Sequence, residues 1–178
     1  MRVVTGLVEA IRAHDPQRLI IADGLAWGTK PVPGLAGLGI AQITRGYEPM
    51  QISHYKANWI HGSDQWEEQT WQLKSGDQIK CDREKLRHQR IVPWKQLEQK
   101  GVGIHVGEWG AYNRTPHKAV LAWMKDCLGL WGEAGWGWAL WNLRGSLGVL
   151  DSGRDDVTYE EFRGRKLDRE MLNVLRGA

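Results

Sequence analysis

A glutamate set between glycines and beside a tryptophan is the side chain of this sequence best placed for catalysis. Glu108 follows the short apolar run 102–106, within Gly107-Glu108-Trp109-Gly110. Such a run is typical of a buried parallel strand, and functional side chains gather at the carboxyl ends of these strands. A carboxylate held there in its ionised form, next to an indole on which a sugar ring can stack, could act as a glycosidase nucleophile. The alternative is a glutamate that only forms a salt bridge at a strand end.

Polar and aromatic residues also follow the three other short apolar runs of the chain. They are Asp23, Arg45, Gly46, Tyr47, Trp141 and Asn142. Because the carboxyl ends of parallel strands meet at one edge of a sheet, we expect these side chains close to Glu108. The phenol of Tyr47 could then donate a hydrogen bond to the Glu108 carboxylate and favour its charged form.

Tryptophan is unusually abundant, with 11 Trp against one Phe. An indole offers a large flat apolar face and one N–H donor, and the C–H faces of sugar rings stack on such surfaces. Any single tryptophan is more often a core residue than a binding platform. The excess of Trp over Phe nevertheless favours a carbohydrate as the partner.

Helical and strand patterns alternate along the chain. Apolar residues at helical spacing predict helices over 2–13, 82–99, 115–131 and 167–175. Short apolar runs predict strands over 19–22, 39–44, 102–106 and 135–141. Thr115 and Pro116 suit the N-cap and the first position of the third helix. The alternation indicates parallel βαβ units, either in a small doubly wound sheet or in part of a barrel.

Two further segments, 50–80 and 142–166, are polar and lack periodicity. We predict long loops there, and long loops in compact domains are often functional. No G-x-G-x-x-G run follows a strand and no P-loop sequence is present. A nucleotide-binding sheet therefore has no support.

The overall composition narrows the class of partner. The net charge is +3 and the basic residues are spread along the chain, so we expect no nucleic-acid partner. No apolar run reaches about 18 residues, and the N-terminal segment lacks the apolar block of a signal peptide, so we expect no membrane partner. Cys81 and Cys127 support neither a disulfide framework nor a metal-binding pattern. We expect no metal or cofactor. The sequence does not indicate the cellular compartment.

Four segments resemble the last four strands of family 5 glycoside hydrolases, in the same order. GIHVGEWGAYN (103–113) is similar to the seventh strand, where G-E-W/F-G carries the nucleophile. GWGWALWNLRG (135–145) resembles the eighth strand, whose final tryptophan forms the platform under the sugar. GYEPMQISHYKANW (46–59) resembles the segment after the sixth strand, and DPQRLIIADGLAWG (15–28) resembles the fifth strand with its preceding segment. The resemblance covers nearly the whole chain.

The resemblance implies both a fold and a function. The fold would be α/β: a partial TIM barrel formed by residues 1–178 as a single domain, with four parallel strands corresponding to strands 5–8. The function would be retaining hydrolysis of β-1,4-glucan or a related β-glycan, as in cellulases. Glu108 would be the nucleophile and Tyr47 its hydrogen-bond partner. The residues expected to contact substrate are Trp141, Trp109, Arg45, His54, Asn113 and Asn142.

The sequence departs from the family pattern in two places. Arg45 stands where the family usually has histidine, and the N-E-P motif of strand four, whose glutamate is the general acid/base, is absent. A retaining glycosidase needs two carboxyl groups about 5–5.5 Å apart, one as nucleophile and one as acid/base. Glu48 and His54 are weak substitutes for the second group, and His105 suits a barrel interior. The alternative is therefore a non-catalytic carbohydrate-binding or scaffold half-barrel, or a truncation product whose fold persists.

Four strands cannot close into a barrel, so two edges stay unpaired and can recruit another chain. We expect strands 1–4 to lie upstream of this sequence in a complete barrel. In their absence we expect the chain to form a homo-oligomer, or to pair with a separate N-terminal half. A two-fold dimer would restore eight strands and bring two copies of Glu108 near one mouth.

Overall fold

One parallel sheet of four strands forms the centre of the computed structural model, which describes residues 2–177. The strand order is β1 (Ile21–Asp23), β2 (Ala41–Arg45), β5 (Ile104–Trp109) and β6 (Gly137–Leu140). All three pairings between neighbours are parallel. The predicted parallel β/α organisation is confirmed, and each strand begins about two residues later than its apolar run in the sequence.

Helices lie between the strands along the chain and at both ends of the described residues. They are α1 (Arg2–His14), α2 (Leu25–Gly28), α3 (Met50–Ser53), α4 (Arg83–Leu86), α5 (Val92–Glu98), α6 (His117–Ala134) and α7 (Arg169–Arg176). Single 3-10 segments cover Pro33–Leu38 and Ser63–Gln65. The helices predicted at both ends of the chain and after β5 are all present.

The helix predicted over 82–99 is interrupted in the middle. A π-helical turn, Arg87–Ile91, joins α4 to α5. Pro93 has no backbone N–H and so cannot donate to the preceding helical turn, and wide π turns are one way to accommodate a missing bond. The segment begins as predicted for a helix, with Asp82 as its N-cap. The Asp82 side chain accepts a 2.9 Å hydrogen bond from the amide of Lys85.

The start of α6 also differs from the prediction. Thr115 does not cap the helix with its side chain. Its hydroxyl donates a 2.6 Å hydrogen bond to the carbonyl of Ile52, and Pro116 occupies the N-cap position. The hydroxyl is buried, so it takes the nearest carbonyl acceptor and ties the start of α6 to α3.

Both segments predicted as long loops contain a short hairpin. The first pairs β3 (Leu73–Ser75) with β4 (Gln78–Cys81), and the second pairs β7 (Glu160–Phe162) with β8 (Arg165–Leu167). In the second hairpin Arg163 and Gly164 have φ values of 51° and 74°. These values suit a two-residue type I′ turn, which prefers Asn-Gly. The Arg-Gly pair gives a weaker sequence signal, which explains why the hairpin was not predicted.

The core lies between the sheet and α6, and tryptophan fills much of it. Trp109 is completely buried, and its ring contacts those of Trp123, Trp131 and Trp138 at centroid distances of 4.6–5.8 Å. The pairs with Trp131 and Trp138 are edge-to-face, an arrangement that is favourable for aromatic rings, and the pair with Trp123 is tilted. Many of the tryptophans are therefore core residues, which is the usual role of an individual tryptophan.

The sheet is open at both sides within residues 2–177. β1 and β6 each pair with one neighbouring strand, so no closed barrel is formed by the described part of the chain. Apolar side chains are exposed around the β1 edge. They are Val3, Leu7, Ile11, Leu19, Ile21 and Leu25. An exposed apolar area next to an unpaired strand edge is typical of a surface that binds another chain.

Candidate active site

A cavity of about 590 Å³ opens at the carboxyl ends of β2 and β5. Its wall is formed by Trp27, Thr29, Arg45, Tyr47, Glu48, Met50, His54, Trp59, Ile60, Glu108, Trp141 and Leu147. The size is within the range of small-molecule sites, and the lining combines aromatic rings with a few charged groups. Five residues expected at the site from the sequence meet here: Glu108, Tyr47, Trp141, Arg45 and His54.

The two glycines beside Glu108 allow close contacts between neighbouring strands. A Cβ atom on Gly107 would lie 2.6 Å from Cγ2 of Ile43 on β2. At Gly110, with φ 155°, a Cβ atom would lie 2.3 Å from the carbonyl oxygen of Trp141. Glycine is therefore required at both positions, and it brings the ends of β2, β5 and β6 together around the Glu108 side chain.

Both carboxylate oxygens of Glu108 have partners. The Tyr47 hydroxyl donates a 2.7 Å hydrogen bond to Oε1, as the sequence predicted, and Nη1 of Arg45 lies 3.4 Å from Oε2. Burial and the adjacent Glu108 raise the pKa of Tyr47 above its usual value. Tyr47 therefore stays protonated and remains a hydrogen-bond donor. The arrangement can hold Glu108 in one orientation as an anion.

His54 packs against Tyr47. Its ring meets the Tyr47 ring edge-on at a centroid distance of 5.0 Å, and its Nδ1 atom is 2.7 Å from Oγ of Ser53. Burial lowers the pKa of His54, and the charge of Glu108 opposes this effect. The imidazole is therefore neutral near pH 7 and can both donate and accept a hydrogen bond.

Comparison with known sequences identifies the family. The sequence model described as cellulase (glycosyl hydrolase family 5) matches residues 2–146, most of the chain. The chain belongs to glycosyl hydrolase family 5. No curated protein sequence matches it.

Solved structures agree with this family assignment. A crystal structure of a glycoside hydrolase shares 39% identity with a TM-score of 0.90, and the match covers 98% of this chain and 52% of that one. Cel5A from Thermotoga maritima, crystallised with cellobiose, shares 22% identity with a TM-score of 0.76, covering 98% and 52%. The cellulose synthase subunit Z of Clostridioides difficile shares 19% with a TM-score of 0.73, covering 97% and 54%.

This family 5 chain spans about half the length of the solved structures it matches. Its single four-stranded parallel sheet therefore corresponds to part of a (β/α)8 barrel, as the sequence predicted. The carboxyl ends of the strands, where the cavity lies, form the face that carries the active site in such barrels.

Three residues predicted to contact substrate lie outside the cavity wall. The Trp109 ring is enclosed in the core and does not reach the cavity, in contrast to its predicted position. Asn113 uses its amide group to donate a 2.7 Å hydrogen bond to the carbonyl of Ser152, which holds the segment after β6 in place. Asn142 is half-buried and follows Trp141 through a cis peptide bond.

Two further tryptophans, beyond those predicted to contact substrate, lie on the cavity wall. Trp27 is 84% exposed and Trp59 is 53% exposed, compared with 54% for Trp141. Ala26 and Trp27 both have left-handed backbone conformations, with φ values of 50° and 55°. Such conformations cost about 1–3 kcal/mol per non-glycine residue and are concentrated at functional sites. The strained turn presents the Trp27 ring to the cavity.

The charged groups near the cavity are mostly acidic. Glu48 and Glu108 lie on the wall with Arg45, and Asp23 contacts Arg45 from the neighbouring strand end. Within residues 2–177, no three His, Cys, Asp or Glu side chains are grouped so that they could hold a metal ion. The same residues include no helix with the length and apolar character needed to cross a membrane.

Proposed function

We propose that this chain carries the nucleophile of a retaining β-glycosidase that acts on β-1,4-glucan or a related neutral β-glycan. The observation that supports this most directly is the hydrogen bond from Tyr47 to Glu108 inside a cavity lined by Trp27, Trp59 and Trp141. Among the matched structures, Thermotoga maritima Cel5A was crystallised with cellobiose and with mannotriose. Both are neutral oligosaccharides, which suits a cavity whose charges are mainly negative.

The reaction would proceed through a glycosyl ester. An oxygen of Glu108 forms a bond to the anomeric carbon while the glycosidic C–O bond breaks, and the electron pair leaves with the departing oxygen. Tyr47 holds the carboxylate, and Trp141 provides the apolar face under the sugar. Arg45 contacts Glu108 directly, and His54 contacts the ring of Tyr47. Water then cleaves the ester and regenerates the carboxylate.

The reaction also requires a second carboxyl group as acid/base. No N-E-P segment occurs in the sequence. Glu48 is the other carboxylate on the cavity wall, but we expect it to have a structural role in the segment after β2. The main chain is fixed there, since the carbonyl of Glu48 accepts a 3.0 Å hydrogen bond from Trp123. Substrates with poor leaving groups would then need an acid supplied by another segment or another chain.

The second candidate function is glycan binding without turnover. The absent N-E-P motif favours it, because a cavity with exposed tryptophans can hold a sugar chain even if no acid protonates the leaving group. In that case Glu108 would contribute only a hydrogen-bond acceptor to the bound glycan.

An aryl cellobioside with a dinitrophenolate leaving group separates the two functions. Its departure needs almost no protonation, so a nucleophilic Glu108 is expected to release a burst of one equivalent of phenolate. The glycosyl ester would then persist, and added azide would accelerate its breakdown because azide needs no general base. Glu108→Gln is expected to abolish the burst. A chain that binds cellotetraose but gives no burst with or without azide would be a binding protein instead.

We also propose that the open edges of the sheet pair with a second copy of this chain. The unpaired β1 and β6 edges and the apolar residues beside β1 support an additional protein contact. Light scattering at micromolar concentration is expected to give twice the 20.3 kDa chain mass. Ile21→Glu places a charge on the exposed β1 edge and is expected to shift the population to monomers. A monomeric wild type would contradict self-pairing and would favour a separate N-terminal half as the partner.

A further inference from the structure

The guanidinium of Arg45 lies between two carboxylates. Its Nη2 atom is 2.8 Å from Oδ2 of Asp23, and its Nη1 atom is 3.4 Å from Oε2 of Glu108. Oε1 of Glu108 accepts from the Tyr47 hydroxyl instead. The two oxygens of the Glu108 carboxylate are therefore held by different side chains, and the contact with Arg45 is the longer one.

We propose that Arg45 is a positioning residue for Glu108, and that Asp23 sets the place of its guanidinium. This inference rests on the glycosidase function proposed above. An arginine next to one carboxylate tends to form two parallel hydrogen bonds with it. Asp23 competes for the same guanidinium at a shorter distance, which prevents Arg45 from closing on Glu108. Oε2 thereby keeps a stabilising positive charge nearby and stays free to attack.

The turn after β1 is shaped around the pair formed by Arg45 and Asp23. A Cβ atom on Gly28 would lie 2.7 Å from Cγ of Arg45 and 2.9 Å from Oδ1 of Asp23. The φ of Gly28 is also 70°, a conformation that side chains disfavour. Glycine at position 28 therefore leaves the space in which the two charged side chains meet.

A second arginine holds the backbone that carries this pair. The Arg90 side chain, from the π turn, donates 2.8 Å hydrogen bonds to the carbonyls of Thr29 and Arg45. It thus joins the turn that follows Asp23 to the end of β2. Burial lowers the pKa of Arg90, and the nearby Glu48 and Cys127 oppose the shift. The guanidinium stays charged, so these bonds are charge-assisted and stronger than ordinary ones.

The pairing with Asp23 also keeps a negative charge next to Arg45 during the reaction. When Oε2 of Glu108 bonds to the anomeric carbon, the carboxylate becomes a neutral ester and Arg45 loses its contact with that negative charge. A partly buried cation without a partner would be costly. Asp23 remains as the anion for Arg45 throughout, and the second step restores the charge of Glu108 when water cleaves the ester.

Covalent trapping tests this role. The whole chain is incubated with 2,4-dinitrophenyl 2-deoxy-2-fluoro-β-cellobioside, and mass spectrometry follows the glycosyl adduct with time. The maximal trapping rate and the concentration that gives half of it are measured separately. The variants are Arg45→Met, Arg45→Lys and Asp23→Asn. Arg83→Met is the matched control, because Arg83 also bridges two carboxylates and is 30% exposed, against 32% for Arg45.

Arg45→Met is expected to lower the maximal rate about tenfold, since it removes the positive charge next to Oε2 of Glu108. The half-saturating concentration is expected to change less than about twofold, because Arg45 acts on the nucleophile and a binding residue would mainly change that concentration. Arg45→Lys is expected to recover part of the rate. Asp23→Asn is expected to slow trapping as well, because Arg45 would then close on Glu108. Arg83→Met is expected to match the wild type.

The outcomes separate this inference from the glycosidase function. Trapping of the wild type with unchanged rates in Arg45→Met and Asp23→Asn overturns the positioning role and leaves the function intact. A wild type that forms no adduct refutes both the glycosidase function and the positioning role. If Arg45→Met does not fold, as judged by circular dichroism, the Arg45→Lys and Asp23→Asn rates decide the question.

Discussion

The Tyr47 hydroxyl donates a 2.7 Å hydrogen bond to Oε1 of Glu108, although 61 positions separate the two residues in the chain. Tyr47 follows β2 and Glu108 lies near the end of β5, and these strands are direct neighbours in the sheet. The carbonyl of Glu108 also accepts a 2.9 Å hydrogen bond from the amide of Gly46. The adjacent strand ends therefore fix both the backbone and the side chain of the proposed nucleophile.

Tyr47→Phe removes this hydrogen bond and keeps the ring. We expect the trapping rate to fall by about 10- to 150-fold, because a hydrogen bond to a charged group contributes about 1.5–3 kcal/mol. The raised pKa of Tyr47 means that the wild-type rate should show no loss from tyrosine ionisation up to about pH 10. The measurement is the trapping rate between pH 5 and 10. Tyr112→Phe, which changes a tyrosine outside the cavity wall, serves as the control.

His54 gives the fold a dependence on pH. Because burial lowers its pKa, the unfolded chain binds a proton more readily than the folded one below about pH 6.5. The free energy of unfolding should therefore fall as the pH drops from 7 to 5. Urea unfolding at several pH values measures this trend. His54→Gln is expected to reduce the slope, whereas a matching reduction in the exposed His61→Gln variant would contradict the assignment to His54.

Asp168 joins the last two long helices. Its Oδ1 atom accepts a 2.9 Å hydrogen bond from the amide of Met171 and caps α7, and its Oδ2 atom lies 2.8 Å from Nε2 of His117 at the start of α6. Burial alone would raise the pKa of Asp168, but the bonds from His117 and Met171 and the charges of His117 and Arg154 lower it. The resulting stability is present above about pH 3.9 and is lost as the pH falls through the lowered pKa.

Asp168→Ala is expected to destabilise the chain by about 2–4 kcal/mol, because it removes the cap of α7 and leaves buried polar groups without a partner. Asp168→Asn should cost less, since its amide oxygen can still cap α7. Urea unfolding at pH 7 measures both. Asp155→Ala, at an exposed ion pair with Arg114, should change the free energy of unfolding by less than about 1 kcal/mol. Similar losses in Asp155→Ala and Asp168→Ala would contradict a special role for Asp168.

The sequence was sufficient to predict the strands and the residues that meet at their ends. Apolar runs followed by Glu108, Tyr47 and Trp141 indicated one edge of a parallel sheet, and the structure brings these three side chains to one cavity. Trp109 shows where the same reasoning was incomplete. Successive side chains of a strand point to opposite faces. Since Glu108 faces the cavity, its neighbour Trp109 must face the core, and this alternation was already available in the sequence.

Other parts of the site could not be predicted from periodicity. Trp27 and Trp59 follow strands in irregular segments, where the backbone direction depends on local conformations such as the left-handed pair at 26–27. The π turn that contains Arg90 also has no sequence period of its own. Tertiary contacts bring the side chains of such segments to the cavity. The sequence therefore shows which residues the segments contain and does not predict where their side chains lie.

Trp141 should provide much of the apolar contact with a bound sugar, because it lines the same cavity as Glu108 and is 54% exposed. Trp141→Ala is expected to weaken cellotetraose binding about tenfold, since losing an apolar aromatic contact costs about 1–2 kcal/mol. Isothermal titration calorimetry measures the affinity, and Trp141→Phe should retain part of it. Trp66→Ala controls for the removal of an indole elsewhere, because Trp66 lies outside the cavity wall. Equal weakening in both alanine variants would show that the loss reflects general destabilisation, and the stacking role of Trp141 would then be wrong.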